Sequence, residues 1–355
     1  DLISSWVRPS TGFSLLTRKT KASQQMGTST SFTRSTTDFA NTLSYSTGVV
    51  RSALLFPVTY GPDMDTTQAD DLNWLAANPA AYVNSTEDEL KSVNWFSSTY
   101  AEVKIMPELK FRQNVGISYS DSHRGSYYDR HTQEGKTPTN GKASKATNGF
   151  THITSESILP FDKQFNEHHH LNVMAAFTLE ERKWDSFSQT FWDFPTDITK
   201  DNNVEMALYT GTPTSDKGKT RMVSVLGRAN YVYKDRYLLT YSYRNDGTSV
   251  LSEGRKYSGF HSGALAWRAS EENFVKNLNV FDNLKLRVSY GETGNQGIGA
   301  YRTLIFVNPA NYSYTNSLSS GLATPTWRGP ATGLGWERTK QWNAGIDMGF
   351  LNSRL

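Results

Sequence analysis

The sequence has no cysteine. Disulfides and thiolate metal sites are therefore excluded, and the compartment stays open, although an oxidising envelope suits such a chain. It also lacks any run approaching the roughly 18–20 uncharged apolar residues that a membrane helix needs. The two signs of charge nearly balance: the formal net charge is +3 over 355 residues, so no strongly basic face argues for nucleic acid. Asp1 to Ser5 lack the charged start and apolar core of a signal peptide, so either the mature chain begins here or this is a piece of a longer one. Hydrophobic residues make up only 37% of the whole. Hydropathy alone would class the protein as soluble. That inference is unsafe, because a membrane β-strand is apolar on one face only and gives a weak signal.

Aromatic residues, by contrast, are plentiful at 13%, with 18 Tyr and 18 Phe. Girdles of Tyr, Trp and Phe at two membrane interfaces would account for them; an aromatic-rich β-sandwich is the alternative. The informative signal is alternation with period two. Val223, Val225, Gly227, Ala229 and Tyr231 alternate with Ser224, Leu226, Arg228 and Asn230. Tyr237, Leu239, Tyr241 and Tyr243 alternate with Thr240, Ser242 and Arg244. Leu284, Leu286, Val288 and Tyr290 do so with Lys285, Arg287 and Ser289, and Leu109, Phe111, Val115, Ile117 and Tyr119 with Lys110, Arg112, Asn114 and Ser118. This predicts about ten strands, near 38–48, 95–105, 109–121, 149–160, 168–182, 220–234, 236–247, 256–269, 283–292 and 335–350. Most exceed the usual ~5–6 residues and fit the ~9–11 that a tilted strand needs to cross a bilayer.

Short links such as Met106-Pro107-Glu108 and Lys234-Asp235 alternate with long polar segments at 49–94, 122–148, 183–219, 245–255 and 293–334. Short turns on one rim and long loops on the other are the pattern of an antiparallel outer-membrane barrel. An Arg facing lipid at mid-bilayer costs roughly 2–4 kcal/mol. Arg112, Arg228, Arg244 and Arg287 all occupy the polar phase of their strands and are assigned to a wet lumen. Gln113, His169 and His261 fall on the apolar phase and sit less easily with that assignment. A polar inner face also excludes a small barrel filled with side chains.

Several runs resemble SusC/RagA-type TonB-linked outer-membrane proteins. They are Tyr237 to Ser249, Gly263 to Arg268 with the following Ser270-Glu271-Glu272-Asn273-Phe274, Leu284 to Ile298, and Trp336 to Asp347. The match is dense over 220–355 and looser over 95–182. The resemblance implies a barrel of about 22 strands with a plugged lumen, of which residues 1–355 would form part of one TonB-dependent receptor barrel domain. Plug and final strands are absent from this chain, and two open sheet edges are not tolerated in lipid, so the working protein is expected to be longer. The implied function is active import of nutrient oligomers, a glycan or a peptide, across the bacterial outer membrane. The implied partners are a SusD-like surface lipoprotein, TonB acting through the missing N-terminal region, and membrane lipid. A passive porin and a soluble carbohydrate-binding β-sandwich are the rival readings.

No nucleophile–base pairing is evident, so no enzyme is expected, nor any cofactor. Asp63 and Asp65 begin like a calcium loop but lack its Gly and terminal Glu; a solvated loop is the favoured reading. In His168-His169-His170 successive side chains point to opposite faces of a strand, so the three cannot converge on one metal. Aromatic residues Trp184, Phe187, Phe191, Trp192 and Phe194 fall in one expected extracellular loop, and Tyr312, Tyr314 and Trp327 in another. Aromatic faces stack on sugar rings and pack on peptides, so Trp184, Phe187, Trp192, Tyr312, Tyr314 and Trp327 are candidate ligand contacts; packing between loops is the alternative.

Overall fold

The fold is known from a computed structural model. It describes residues 12–13, 18–21, 24–39, 49–56, 61, 79–304 except 133, 137 and 279, 307–314, 317–323 and 333–350. Two short pieces, β1 (Gly12–Phe13) and β2 (Arg18–Lys21), precede β3 (Gln24–Asp38). Helices α1 (Val49–Leu55) and α2 (Pro79–Asn84) lead into β4 (Thr86–Met106), β5 (Leu109–Tyr128), β6 (Lys142–Asn166) and β7 (His169–Trp192). The two-residue β8 (Tyr209–Thr210) is followed by β9 (Thr214–Tyr233), β10 (Tyr237–Thr248) and β11 (Tyr257–Arg268). After a 3-10 turn and the one-turn α3 (Asn273–Lys276) come β12 (Asn283–Asn295), the hairpin β13 (Asn308–Tyr314) and β14 (Ser317–Ala323), and β15 (Glu337–Gly349).

A single 13-stranded antiparallel sheet dominates, ordered β1-β3-β4-β5-β6-β7-β9-β10-β11-β12-β15, with β2 beside β3 and β8 beside β7. No second sheet packs upon it among the described residues. The β13–β14 pair stands apart, so the sandwich reading has no second layer. Pairing registers make the two faces explicit. One face carries Phe111, Val115, Ile117 and Tyr119 on β5, Leu171 to Leu179 on β7, and Val223 to Tyr231 on β9. It continues through Leu239 and Tyr241 on β10, Leu265 on β11, Val288 on β12, and Trp342 and Ile346 on β15. Over about nine residues of each strand this face holds no Asp, Glu, Lys or Arg.

These apolar side chains are not inside anything. Val225 is 55% exposed, Leu265 57%, Ile346 59% and Trp342 73%. A soluble monomer rarely leaves a contiguous apolar patch larger than a few hundred Å², and each such side chain forgoes about 1.5–3 kcal/mol of burial while it faces water. The face is therefore built for an apolar solvent. Buried apolar residues cluster instead at the rims, as Tyr127, Ala143 and Phe194 do on the long-loop side and Val275 on the short-turn side.

Several polar residues on the apolar face are satisfied in place. Gln113 donates from Nε2 to Ser155 Oγ at 3.0 Å and accepts from Ser157 Oγ at 2.6 Å. His169 shares a 2.5 Å hydrogen bond with the Tyr231 hydroxyl, and His261 one of 2.8 Å with that of Tyr241. On β3 and β4, Thr28 pairs with Thr99 at 2.9 Å and Thr30 with Ser97 at 3.1 Å. An unpartnered polar group in hydrocarbon costs several kcal/mol, and each of these pairings removes that cost. His170, one residue from His169, turns to the other face and meets Asp162 at 3.1 Å, so the three histidines diverge.

Several boundaries differ from the sequence reading, among them that of β4, which starts at Thr86 inside the segment read as 49–94. The strand placed near 38–48 lies at Gln24–Asp38, while 40–48 fall outside the described residues. Its alternation is hidden because Ser and Thr fill both phases of this strand. The segments 122–148 and 183–219 are in good part strand: β5 runs to Tyr128, β6 starts at Lys142, β7 runs to Trp192 and β9 starts at Thr214. Beyond the apolar belt both phases turn polar, as at Asp121, Ser122 and His123, so periodicity disappears while the backbone ladder continues. β4 to β7 and β9 reach 20 to 25 residues, about 65–80 Å along the strand and roughly twice what the membrane needs.

This one-sidedness sets two energetic expectations for the full-length protein unfolded from a bilayer. Ala175→Arg, at mid-belt, costs about 2–4 kcal/mol, while Arg228→Ala on the opposite face costs little. Ser157→Ala, which leaves Gln113 Oε1 without its donor, costs about 1–3 kcal/mol. Equal effects of Ala175→Arg and Arg228→Ala in denaturant titrations contradict the assignment of faces.

Candidate functional site

The opposite face is continuously polar. Arg112 donates from Nε to Asn114 Oδ1 at 2.8 Å and lies 4.2 Å over the Tyr100 ring, and Asn114 reaches Glu156 at 2.9 Å. Arg244 bonds Asp246 at 2.7 Å and Ser224 at 3.1 Å. Arg287 stands 3.4 Å from Asp347. Arg228 has no ion pair among the described residues. All four arginines lie on this face, as the registers Glu102↔Arg112, Ser242↔Arg228, Arg244↔Phe260 and Arg287↔Gly345 require. Near the short turns a chain of amides crosses four strands: Thr240 donates to Asn230, Asn230 to Asn172, and Asn172 to Asp162, at 2.9, 3.3 and 2.8 Å.

At the upper end of β10 to β12 this face opens into a recess of about 530 Å³. Arg244 and Asp246 form one side of it, Phe260 and Trp336 another, with Asn295 and Gln296 at its edge. Phe260 and Trp336 pack edge to face at 5.6 Å, and Arg338 covers Phe260 at 5.4 Å. The Trp336 indole donates to the Lys256 carbonyl at 2.9 Å. Aromatic faces beside paired charges and amides suit a polar ligand that carries apolar faces. Phe260 and Trp336 went unread in the sequence; the Trp-Glu-Arg-Thr-Lys run marked a strand start but not which side its Trp would take.

The candidate aromatic residues do not form one cluster. Trp184, Phe187 and Trp192 lie on strand β7, not in a loop. Trp184 and Trp192 share the polar face: Trp184 donates to Asp216 at 2.9 Å, and Trp192 stacks on Tyr209 at 6.2 Å. Phe187 falls on the opposite face, 42% exposed. Phe194 is buried edge to face against Tyr127, with Phe191 packed on the same cluster, so for these two the packing alternative holds. Tyr312 and Tyr314 sit on β13, opposite Ser319 and Ser317. Trp327, Asp63 and Asp65 lie outside the described residues.

A latch fixes that rim cluster. Asp197 accepts from Tyr127 Oη and Arg130 Nε, each at 2.6 Å, and burial together with Asp197 pushes the Tyr127 phenol well above its ordinary value. The short-turn rim has its own clip, which explains the Glu271-Glu272 motif. Glu272 accepts from Tyr237 Oη at 2.7 Å, Arg236 at 2.8 Å and the Trp267 indole at 3.3 Å. The Tyr237 hydroxyl, above all, holds the Glu272 carboxyl below the usual range.

A one-layer antiparallel sheet, apolar and charge-free on one face and wet on the other, with short turns at one rim and tall strands at the other, is the wall of a membrane-spanning β-barrel. Similarity to known proteins narrows the class. The chain is 29% identical over 333 residues to the TonB-dependent receptor P3 of Formosa agariphila, covering 91% of this chain and 32% of the relative. It is 33% identical over 266 residues to receptor P39 of the same organism, covering 73% of this chain and 25% of that relative. To the TonB-dependent receptor SusC of Bacteroides thetaiotaomicron it is 30% identical over 299 residues, 78% of this chain and 27% of SusC. Among solved structures, the RagAB peptide transporter superposes with a TM-score of 0.81 at 19% identity, over 95% of this chain and 38% of that chain. No family model matches the chain. The chain belongs to the SusC/RagA family of TonB-dependent outer-membrane receptors. It spans between a quarter and a third of the length of these curated relatives.

The lowered Glu272 carboxyl carries a pH consequence. A depressed folded-state value means a contribution fully present above the ordinary carboxylate range and lost as pH falls through the folded value. Hydrogen-exchange protection of 269–277, corrected for intrinsic rates, is expected to hold from neutral pH down to the ordinary carboxylate range and to be lost only at pH below that range. Glu272→Gln should flatten the profile; an unchanged acid drop in that variant excludes Glu272 as its source.

Proposed function

We propose that this chain forms part of the wall of an outer-membrane importer that carries nutrient oligomers inward with energy supplied through TonB. The supporting observation is the split between the faces: about nine charge-free residues per strand on one side, and arginines, carboxylates and amides at the same depth on the other. On this reading Arg112, Arg228, Arg244 and Arg287 line an aqueous passage. The tall β4 to β9 wall would form its mouth, where a SusD-like surface lipoprotein would deliver ligand. Trp184 and Trp192 are the candidate aromatic contacts on the passage side. Tyr312, Tyr314 and Trp327 remain candidates from the other long segment, and Phe187 is a poorer one from its side of β7. The recess at Arg244, Phe260 and Trp336 adds a contact point deeper in.

The favoured cargo is an oligosaccharide, whose ring faces stack on aromatic residues and whose hydroxyls pair with amides and charged groups. A peptide is the second reading, favoured by the likeness in fold to a structure described as a peptide transporter.

Uptake tests both the energy source and the cargo. Cells producing the full-length protein should accumulate a fluorescent oligosaccharide, and a strain lacking TonB should not. Uptake that persists without TonB identifies a passive pore and overturns the importer reading. In the purified receptor–lipoprotein complex, Trp336→Ala with Phe260→Ala is expected to weaken ligand binding by about tenfold or more, the scale of losing one or two stacking contacts of 1–3 kcal/mol each.

A further inference from the structure

The apolar face changes character abruptly at the upper edge of the belt on β7 and β9. Leu179 and Val223, which face one another, are its last apolar pair. Above them stand Glu181 opposite Arg221, Lys183 opposite Lys219, and Asp185 opposite Lys217. Four cations thus face two carboxylates on the same side as the belt. Glu181 is shared between Lys183 and Arg221. Lys217 and Lys219 have no ion pair among the described residues, so the patch keeps positive charge in excess.

A groove of about 630 Å³ lies across this boundary. Ile153, Leu179 and Val223 make its apolar part, Arg221 and Lys256 stand at its polar edge beside Glu180 and Glu181, and Lys183 and Lys219 lie just above it. The Tyr257 ring lies over Gly247, where any side chain would collide with it: an added Cβ would stand 2.2 Å from the ring. Farther down the belt, Gly227 has open space where a side chain would stand, between Ala175 and Tyr243 on the neighbouring strands. Gly227 thus leaves a second depression lower on the same face, with Phe177 and Val225 between it and the groove.

We propose that this groove binds a phosphorylated glycolipid of the outer leaflet. An acyl chain would lie on Leu179 and Val223 and run toward Gly227, and the phosphate would meet Lys183, Lys219 and Arg221. The depth argues for this occupant. The floor is at acyl level and the cations are two to four residues higher along the strands, at headgroup level, where basic side chains attract anionic lipid. A free anion would gain nothing from the apolar floor, and a protein partner would leave the depression at belt depth unused. The proposal rests on the reading of the apolar face as lipid-facing.

The test uses the full-length protein in nonionic detergent, titrated with fluorescent monophosphoryl lipid A in mixed micelles. Binding should saturate. Lys183→Gln with Lys219→Gln, both on exposed side chains, should weaken it by about tenfold, and removing the phosphate from the lipid should do the same to the unsubstituted protein. Undiminished binding by the double variant, or equal binding of dephosphorylated lipid, overturns the proposal. So does full displacement by millimolar inorganic phosphate, which marks a simple anion site. A protein that stays monodisperse without detergent instead overturns the membrane reading beneath it.

Discussion

Inside a bilayer the backbone has no water to bond, so every N–H and C=O must find a partner within the protein. A sheet meets that demand through its ladders, and then only the side chains of one face meet lipid. Everything else in this chain follows from that constraint. The face with Val225, Leu265 and Trp342 is exposed yet charge-free, whereas the other face at the same depth carries Arg112, Arg228, Arg244 and Arg287. The exceptions obey the same rule. Gln113 is held between Ser155 and Ser157, and His169 and His261 lean on tyrosine hydroxyls, so the desolvation of these three side chains is compensated.

Stability beyond the ladders is concentrated at the rims. Glu272 ties Arg236, Tyr237 and Trp267 together beneath the short turns. On the other rim Asp197 ties Tyr127 to Arg130, and Phe194 packs against Tyr127. Both are places where the sheet leaves the apolar solvent and needs another source of order. The tall strands carry the ladder well above the belt, so side chains on the polar face such as Trp184 and Trp192 stand on a hydrogen-bonded wall.

Where one phase of a strand was apolar and the other polar, the sequence was enough. β5, β7, β9, β10, β12 and β15 could be read directly, and Arg112, Arg228, Arg244 and Arg287 share one face of the sheet, as their strand phases imply. Family resemblance added the overall barrel. What stayed hidden has a common cause: no contrast between phases. β3 is built from Ser and Thr on both faces, and the upper halves of β5 to β9 are polar on both, so they look like loop although they pair as strand. The aromatic residues of 184–194 looked like one cluster. Strand geometry sends Trp184 and Trp192 one way and Phe187 the other, and the rim core takes Phe191 and Phe194. The recess joining Phe260 to Trp336 brings together residues from distant strands, and no single strand's sequence could show it.

The central claim is that the two faces of each strand meet different solvents. The absence of cysteine from these 355 residues leaves no background labelling site within them for a direct measurement. A nitroxide placed singly at each position from Val225 to Asn230 of the full-length protein in bilayers can be probed with oxygen, which partitions into lipid, and with a polar nickel reagent. Oxygen accessibility should peak at Val225, Gly227 and Ala229, and nickel accessibility at Leu226, Arg228 and Asn230. A profile with no two-residue period, or one with the phases exchanged, would contradict the account.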